Sequence, residues 1–301
     1  MGYTDTASHG AWPHDEAGAF MASLRSPRGM TCSGFLFALP ECDNTGCDTA
    51  GGHLMEMPIR YVMTVAHFFG PPPNDQFRVG MRRIRSGMTR WWRELFTHHN
   101  ADDRMDMDSS RAALALRPEP IPHEDTEHHA ERISVRIGGK YYYSTCYARV
   151  PATDIAILKL DRPVFIQPEK VPVLDCDGRA RLLPGRRFAQ YGFGAKRLVH
   201  RRGRLLFPLP WAGSRGLSTR VRHAYFTHVN PKVVRGDSGG PILRLSPPAG
   251  ENTSPRLIAY GVQSMIHDPW GIDVGIAVIA RIYPHREAIA QVLGRLESLD
   301  G

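Results

Sequence analysis

Gly236-Asp237-Ser238-Gly239-Gly240-Pro241 is the stretch of this 301-residue sequence best suited to do chemistry. At typical usages of ~5–8% per residue, six specified residues fall in that order about once per 10^7 starts. Glycines on both sides let the backbone turn tightly and present peptide N–H groups beside the serine hydroxyl. Such groups can hold the negative oxygen of a tetrahedral intermediate, and losing one donor typically costs ~3–4 kcal/mol of barrier. A serine hydroxyl is a poor nucleophile without a base. Tyr61-Val62-Met63-Thr64-Val65-Ala66-His67 offers one, an apolar run ending in a histidine beside the turn residues Gly70 and Pro71. A lone histidine after a strand is more often a packed or surface residue, so a third group is needed. Thr153-Asp154-Ile155-Ala156-Ile157-Leu158-Lys159-Leu160 has an acid opening an apolar strand. A buried aspartate there is costly without a partner, and an imidazole that it orients and stabilises in the charged form is such a partner.

The elements that must carry these groups read as strands. Ala19–Leu24, Ser33–Ala38, Ile59–Val65, Tyr141–Val150, Ile155–Leu160, Arg187–Tyr191, Val221–Val229, Pro241–Leu245, Leu257–Met265 and Gly275–Ile282 are short, rich in Val, Ile, Phe and Tyr, and bounded by turn residues. Two segments have helical character. Met88–Phe96 groups Trp91, Trp92 and Leu95, and Pro284 is followed by Ala288, Ile289, Val292, Leu293 and Leu296 at helical spacing. No solenoid repeat is present.

The three motifs, in the order His67, Asp154, Ser238, resemble those of the trypsin-like (chymotrypsin-fold, peptidase family S1) serine proteases. Thr64-Val65-Ala66-His67 is similar to that family's Thr-Ala-Ala-His, and Asp154-Ile155-Ala156-Ile157-Leu158 to its Asp-Ile-Ala-Leu-Leu. Gly236 to Pro241 matches the family's nucleophile motif at every position. Gly192-Phe193-Gly194 resembles the Gly-Trp-Gly that opens the second barrel, and Gln263-Ser264-Met265 the segment whose serine bonds the aspartate. The resemblance implies an all-β fold of two six-stranded antiparallel barrels closed by a C-terminal helix. Residues 1–18 are then an N-terminal extension, and 19–297 a peptidase domain. Within it the first barrel covers about 19–165, the second about 180–283 and the helix 284–297, and an insertion of about 73–140 lengthens the first barrel. The implied activity is that of a serine endopeptidase, with His67, Asp154 and Ser238 catalytic and the N–H groups of Gly236 and Ser238 forming the oxyanion hole. The alternative is a catalytically inactive binding module on the same fold.

The resemblance also places Lys232, six residues before Ser238, at the base of the primary specificity pocket, with Ser264, Ile266 and Gly275 lining it. A lysine there repels Lys and Arg side chains and suits Asp or Glu. If it turns outward or pairs with Asp237, the pocket is instead apolar, floored by Val233 and Ile266. Phe68 follows His67 where animal trypsins have cysteine, so that disulfide is missing and Cys32 is expected to be a free, buried thiol. The Ile-Val-Gly-Gly activation sequence is also missing. Asp237 must therefore find another cation than a new N-terminal amine, with Lys232 or a nearby arginine the candidates.

Composition is that of a globular protein, with 42% hydrophobic and 23% charged residues. Five cysteines cannot all pair, and Cys42 and Cys47 lack the companions of a zinc site. No metal or organic cofactor is implied; the partners expected are protein or peptide substrates, and neither a membrane span nor nucleic acid. The first 20 residues hold no apolar run of signal-peptide length, which favours an intracellular, cytoplasmic location. The net charge of +8 is densest at Arg197, Arg201, Arg202 and Arg204 around His200, read as a solvated basic loop. Residues 98–131, with His98, His99, Asp102, Asp103, Asp106, Asp108, His123, Glu124, Asp125, His128 and His129, lose hydrophobic periodicity and read as a surface insertion. Those side chains also allow a third reading, a metal-binding protein, without the regular spacing that would support it.

Overall fold

A computed structural model describes residues 16–40, 56–70, 132–144, 146–178, 182–214, 219–246, 255–267 and 274–298. The helix expected at Met88–Phe96 and the histidine-rich stretch 98–131 lie outside the described residues, as do Cys42 and Cys47.

The first sheet consists of β1 (Met21–Arg25), β2 (Thr31–Leu36), β3 (Met57–Thr64), β4 (Ile133–Ile137), β5 (Lys140–Ser144), β6 (Cys146–Arg149) and β7 (Ala156–Ile166). Its order is β5-β4-β1-β2-β3-β7-β6, antiparallel at each pairing. One residue separates β5 from β6 in sequence, so the two edges of the sheet belong to one continuous stretch of chain and the sheet curls back on itself. Counting β5 and β6 together gives six strands. The strand β4 corrects the expected limits of the insertion: Ile133–Ile137 lies inside the 73–140 span yet pairs with β1 from Ala22↔Ile137 to Arg25↔Ser134. Its buried Ile133, Val135 and Ile137 alternate with more exposed Ser134 and Arg136, which is the period of a half-buried strand.

Val164 in β7 shows how a proline is fitted into a ladder. Pro163 has no N–H to donate, and the register slips there, from Ile59↔Val164 to Tyr61↔Lys159. Residues 156–160 of the same strand are all buried, Lys159 included. The Lys159 ammonium donates to the carbonyl oxygen of Leu296 at 2.6 Å. A positive charge at the carbonyl end of a helix is favoured by the helix dipole. It ties the C-terminal helix (Arg286–Ser298) to the first barrel, beside the buried Ile289, Val292, Leu293 and Leu296.

The second sheet contains β8 (Val173–Leu174), β9 (Arg187–Gly192), β10 (Val199–Gly213), β11 (Arg220–Asn230), β12 (Pro241–Leu245), β13 (Leu257–His267) and β14 (Ile276–Arg281). The order β12-β9-β10-β11-β14-β13 is closed into a ring by β12 pairing with β13, and β8 adds to β13 in parallel. Phe188, Leu205, Tyr225, Val229, Val233, Ile242, Tyr260, Ala277 and Ile279 fill it. The stretch expected to be a solvated basic loop is thus the start of the 15-residue strand β10. In it Arg201, Gly203 and Leu205 point inward while Arg202 and Arg204 are exposed.

Where β11 meets the segment leading into the C-terminal helix, His285 is buried and its Nε2–H donates to the Arg222 carbonyl at 3.3 Å, with the His223 ring 5.6 Å away. Burial, aided by His223, Arg222 and Arg281, pushes its pKa down from 6.5 to about 4. The neutral ring is therefore the folded form. Stability supplied by keeping it neutral is complete above about pH 6.5 and is lost as pH falls from there toward 4. The total is on the order of 3 kcal/mol. Urea unfolding at pH 7 and pH 5 should show this loss, and His285→Gln should flatten it.

Candidate active site

His67 lies in the single turn Ala66–Phe69 that ends β3, and Asp154 stands just before β7. These two strands pair with Thr64 opposite Ala156, so the ladder itself sets the two residues side by side. Ala66 N–H donates to the Asp154 carbonyl at 3.2 Å, fastening one turn to the other. The Asp154 side chain is 2% exposed. Its Oδ1 accepts from the His67 backbone N–H at 2.9 Å, and its Oδ2 faces the ring Nδ1 at 2.7 Å. The Ser264 hydroxyl donates to the same Oδ2 at 2.5 Å. With Nδ1 bound to the carboxylate, the Nε2 edge of the ring faces away from it, and the His67 side chain keeps 32% of its surface exposed. An acid held this way fixes the orientation of the ring and the tautomer in which Nδ1 carries the proton and Nε2 is left to accept one.

Ser238 reaches this pair through Ser264. Its hydroxyl donates to the Ser264 carbonyl oxygen at 3.1 Å, and not to His67. One residue therefore links both ends, its backbone to Ser238 and its side chain to Asp154.

The turn around Ser238 is fixed from both barrels. Ser33 of β2 is completely buried; its N–H donates to the Ser238 carbonyl at 2.8 Å and its hydroxyl to that of Gly236 at 2.7 Å. Phe193 N–H donates to the Ser33 hydroxyl at 2.9 Å, and the Thr64 hydroxyl to the Ser33 carbonyl at 2.7 Å. Gly239 sits at φ 88° with no room for a side chain, because a Cβ would collide with the Ser33 carbonyl and the Thr64 hydroxyl. Beside them Cys32 is a free, buried thiol pushed up to about 12, mainly by desolvation.

Asp237 is completely buried, and its cation is Arg201. The two guanidinium nitrogens reach Oδ1 at 3.1 Å and Oδ2 at 2.8 Å, while Nε donates to the Lys232 carbonyl at 3.1 Å. The Gly194 and Val234 N–H groups complete the shell of the carboxylate at 2.9 and 2.8 Å. Of the two candidates named for this role, the arginine pairs with Asp237, and Lys232 contributes its backbone oxygen. The Asp237 N–H donates to Val234, that of Gly239 to Gln263 and that of Gly240 to Asp237. Among the described residues the N–H groups of Gly236 and Ser238 have no such partner, with Gly236 at φ 95°.

No protein-family model matches the chain, and no curated protein matches its sequence. Solved structures do match. The HtrA-type protease AlgW, solved with a tripeptide, superimposes at a TM-score of 0.50 and 14% identity, over 92% of this chain and 61% of that one. The chain has the trypsin fold. Kallikrein-related peptidase 10 aligns at a TM-score of 0.49 and 16% identity, over 93% of this chain and 98% of its own. Rv3671c from M. tuberculosis H37Rv, as an inactive Ser343Ala mutant, aligns at 0.48 and 13%, over 95% and 91%. Identities this low speak for the fold alone.

The residues expected around the primary specificity pocket take the following places. Lys232 is exposed, and Val233 is 3% exposed among the core residues of the second barrel. Ile266, two residues beyond Ser264, packs against that same core, and Gly275 adopts φ 74°. Two positions escaped the reading of the sequence. Arg201 was hidden in a basic run, although its alternation with Arg202 and Arg204 was a usable signal; Ser33 had no local signal. No helix among the described residues is long and apolar enough to cross a membrane.

Proposed function

We propose that this chain is a serine endopeptidase acting by acyl transfer through His67, Asp154 and Ser238. The observation that carries the reading is the double acceptance by Asp154, from the backbone and the ring of His67, on a carboxylate that Ser264 couples to Ser238.

In the reaction the Ser238 hydroxyl leaves the Ser264 carbonyl by rotation about χ1 and turns to Nε2 of His67. Its oxygen attacks the scissile carbonyl carbon as Nε2 takes the proton. The negative carbonyl oxygen is received by the N–H groups of Gly236 and Ser238, which have no backbone partner among the described residues. Collapse breaks the C–N bond, with His67 returning the proton to the departing amine. Water, deprotonated by the same ring, then hydrolyses the acyl ester and restores Ser238. Asp154 holds the imidazolium in place throughout.

The pocket for the side chain preceding the scissile bond is apolar in this reading. Val233 is committed to the barrel core and Ile266 packs over it, while Lys232 is tied through its carbonyl to Arg201. Digestion of a mixed-sequence peptide library, with cleavage sites read by mass spectrometry, should give cuts after small or apolar residues. Cuts chiefly after Arg or Lys would contradict this pocket, and cuts chiefly after Asp or Glu would mean that the Lys232 ammonium faces the substrate.

A further inference from the structure

The outer face of the second barrel carries positive charge in register. Arg204 of β10 lies directly opposite Arg187 of β9 on one side and His228 of β11 on the other. Two residues earlier on β10, Arg202 lies opposite Asn230. Residues paired across neighbouring antiparallel strands share a face at Cα separations of roughly 5 Å. All four of Arg187, Arg202, Arg204 and His228 are exposed. Among the described residues Arg187, Arg202 and Arg204 have no carboxylate partner, and the ion pairs found lie elsewhere. Like charges set opposite one another cost stability, so folding itself does not account for the row.

Its position is continuous with the candidate active site. Arg201, immediately before Arg202 on β10, turns inward to Asp237 and to the Lys232 carbonyl. Asn230 ends β11, and the chain passes from there through the exposed Lys232 and Arg235 to Gly236 and Ser238. The rings beside the row are Phe207 and Phe226, edge to face at 5.1 Å, and Phe226 is also 4.9 Å from the His267 ring. Phe207 remains 47% exposed, but the edge-to-face pair does not present the successive parallel faces on which the bases of single-stranded nucleic acid stack. Charge is what this face offers.

We infer that Arg187, Arg202 and Arg204 form an exosite for an acid-rich segment of a protein substrate, lying outside the residues that enter the cleft. The inference rests on the peptidase reading for its substrate. Its binding half stands without catalysis. A guanidinium fork donates two parallel N–H bonds to one carboxylate, and a row of such forks steers an acidic chain toward the neighbouring site.

Two assays separate the exosite from the chemistry. In the first, a fluorescein-labelled peptide of alternating Glu and Ser is titrated with Ser238→Ala protein by anisotropy, against a neutral Gln/Ser peptide of equal length and a single-stranded oligonucleotide. The acidic peptide should bind best, weaken as salt rises, and lose about tenfold or more in affinity when Arg187, Arg202 and Arg204 are all changed to Gln. In the second, the triple variant with Ser238 intact should keep kcat/KM on a short neutral substrate and lose a similar factor on the same substrate with an acidic extension. Equal binding of acidic and neutral peptides, or indifference to the triple change, overturns the exosite. Tighter binding of the oligonucleotide overturns it in favour of nucleic acid. A wild-type protein that binds the acidic peptide yet cleaves nothing leaves the surface standing and refutes the peptidase reading instead.

Discussion

Ser238→Ala is expected to lower peptide hydrolysis by about 10^4- to 10^6-fold while leaving thermal stability close to that of the parent protein. The hydroxyl makes one hydrogen bond, to the Ser264 carbonyl, and the turn is held by backbone contacts that alanine preserves: Ser33 N–H to the Ser238 carbonyl and Ser33 hydroxyl to the Gly236 carbonyl. Folding therefore loses little. The chemistry loses its nucleophile. His67→Ala should cost about as much, and the double variant barely more than either, because nucleophile and base act in the same step. Asp154→Asn should cost about 10^4-fold through a different route. Its amide cannot accept from the His67 backbone, the ring and Ser264 together as the carboxylate does, so the wrong ring tautomer is held. Steady-state hydrolysis of a library-derived peptide, alongside melting curves, checks all four proteins.

Arg201→Met should produce the largest loss of stability of any single change near the site. Arg201 is 3% exposed and Asp237 is completely buried. Removing the guanidinium leaves a carboxylate with the Gly194 and Val234 N–H groups but no countercharge. Breaking a buried pair in this manner typically costs ~3–5 kcal/mol, a large fraction of the ~5–15 kcal/mol that holds a domain folded. Activity should fall as well, since Asp237 lies between the two residues whose N–H groups receive the oxyanion in the proposed mechanism, and each lost donor is worth about 10^2- to 10^3-fold in kcat. Arg201 is a positioning residue in this account, so the fall should be in kcat more than in KM. Arg201→Lys should recover only part of both losses, because an ammonium cannot bond both carboxylate oxygens and the Lys232 carbonyl in one plane. Asp237→Asn combined with Arg201→Met should regain stability without regaining kcat. Denaturant unfolding and steady-state kinetics read the two effects separately.

The candidate site was legible wherever its signal was local. His67, Asp154 and Ser238 each sit inside a short run whose neighbours explain it: an apolar strand leading to the histidine, another following the aspartate, glycines around the serine. The strands that carry them were equally plain, because Val, Ile and Tyr between turn residues mark half-buried strands. Arg201 was obscured by its neighbours. In a run of four cationic side chains the simplest reading is solvent, and only the demand of Asp237 for a cation distinguishes the one that turns inward. The strand Ile133–Ile137 was masked by the acidic, histidine-rich residues just before it, and it became recognisable through pairing with β1. Ser33 lies 205 residues before Ser238, and its three contacts on the turn and on Phe193 arise only when the barrels meet.

Reaction with a fluorophosphonate probe tests the central claim most directly, because the probe needs an activated serine and an oxyanion hole but no particular substrate. The folded wild-type protein should take up one probe, located on Ser238 by mass spectrometry, and both His67→Ala and Ser238→Ala should remain unlabelled. A folded wild-type protein that stays unlabelled, or one that is labelled equally well without His67, would contradict the account.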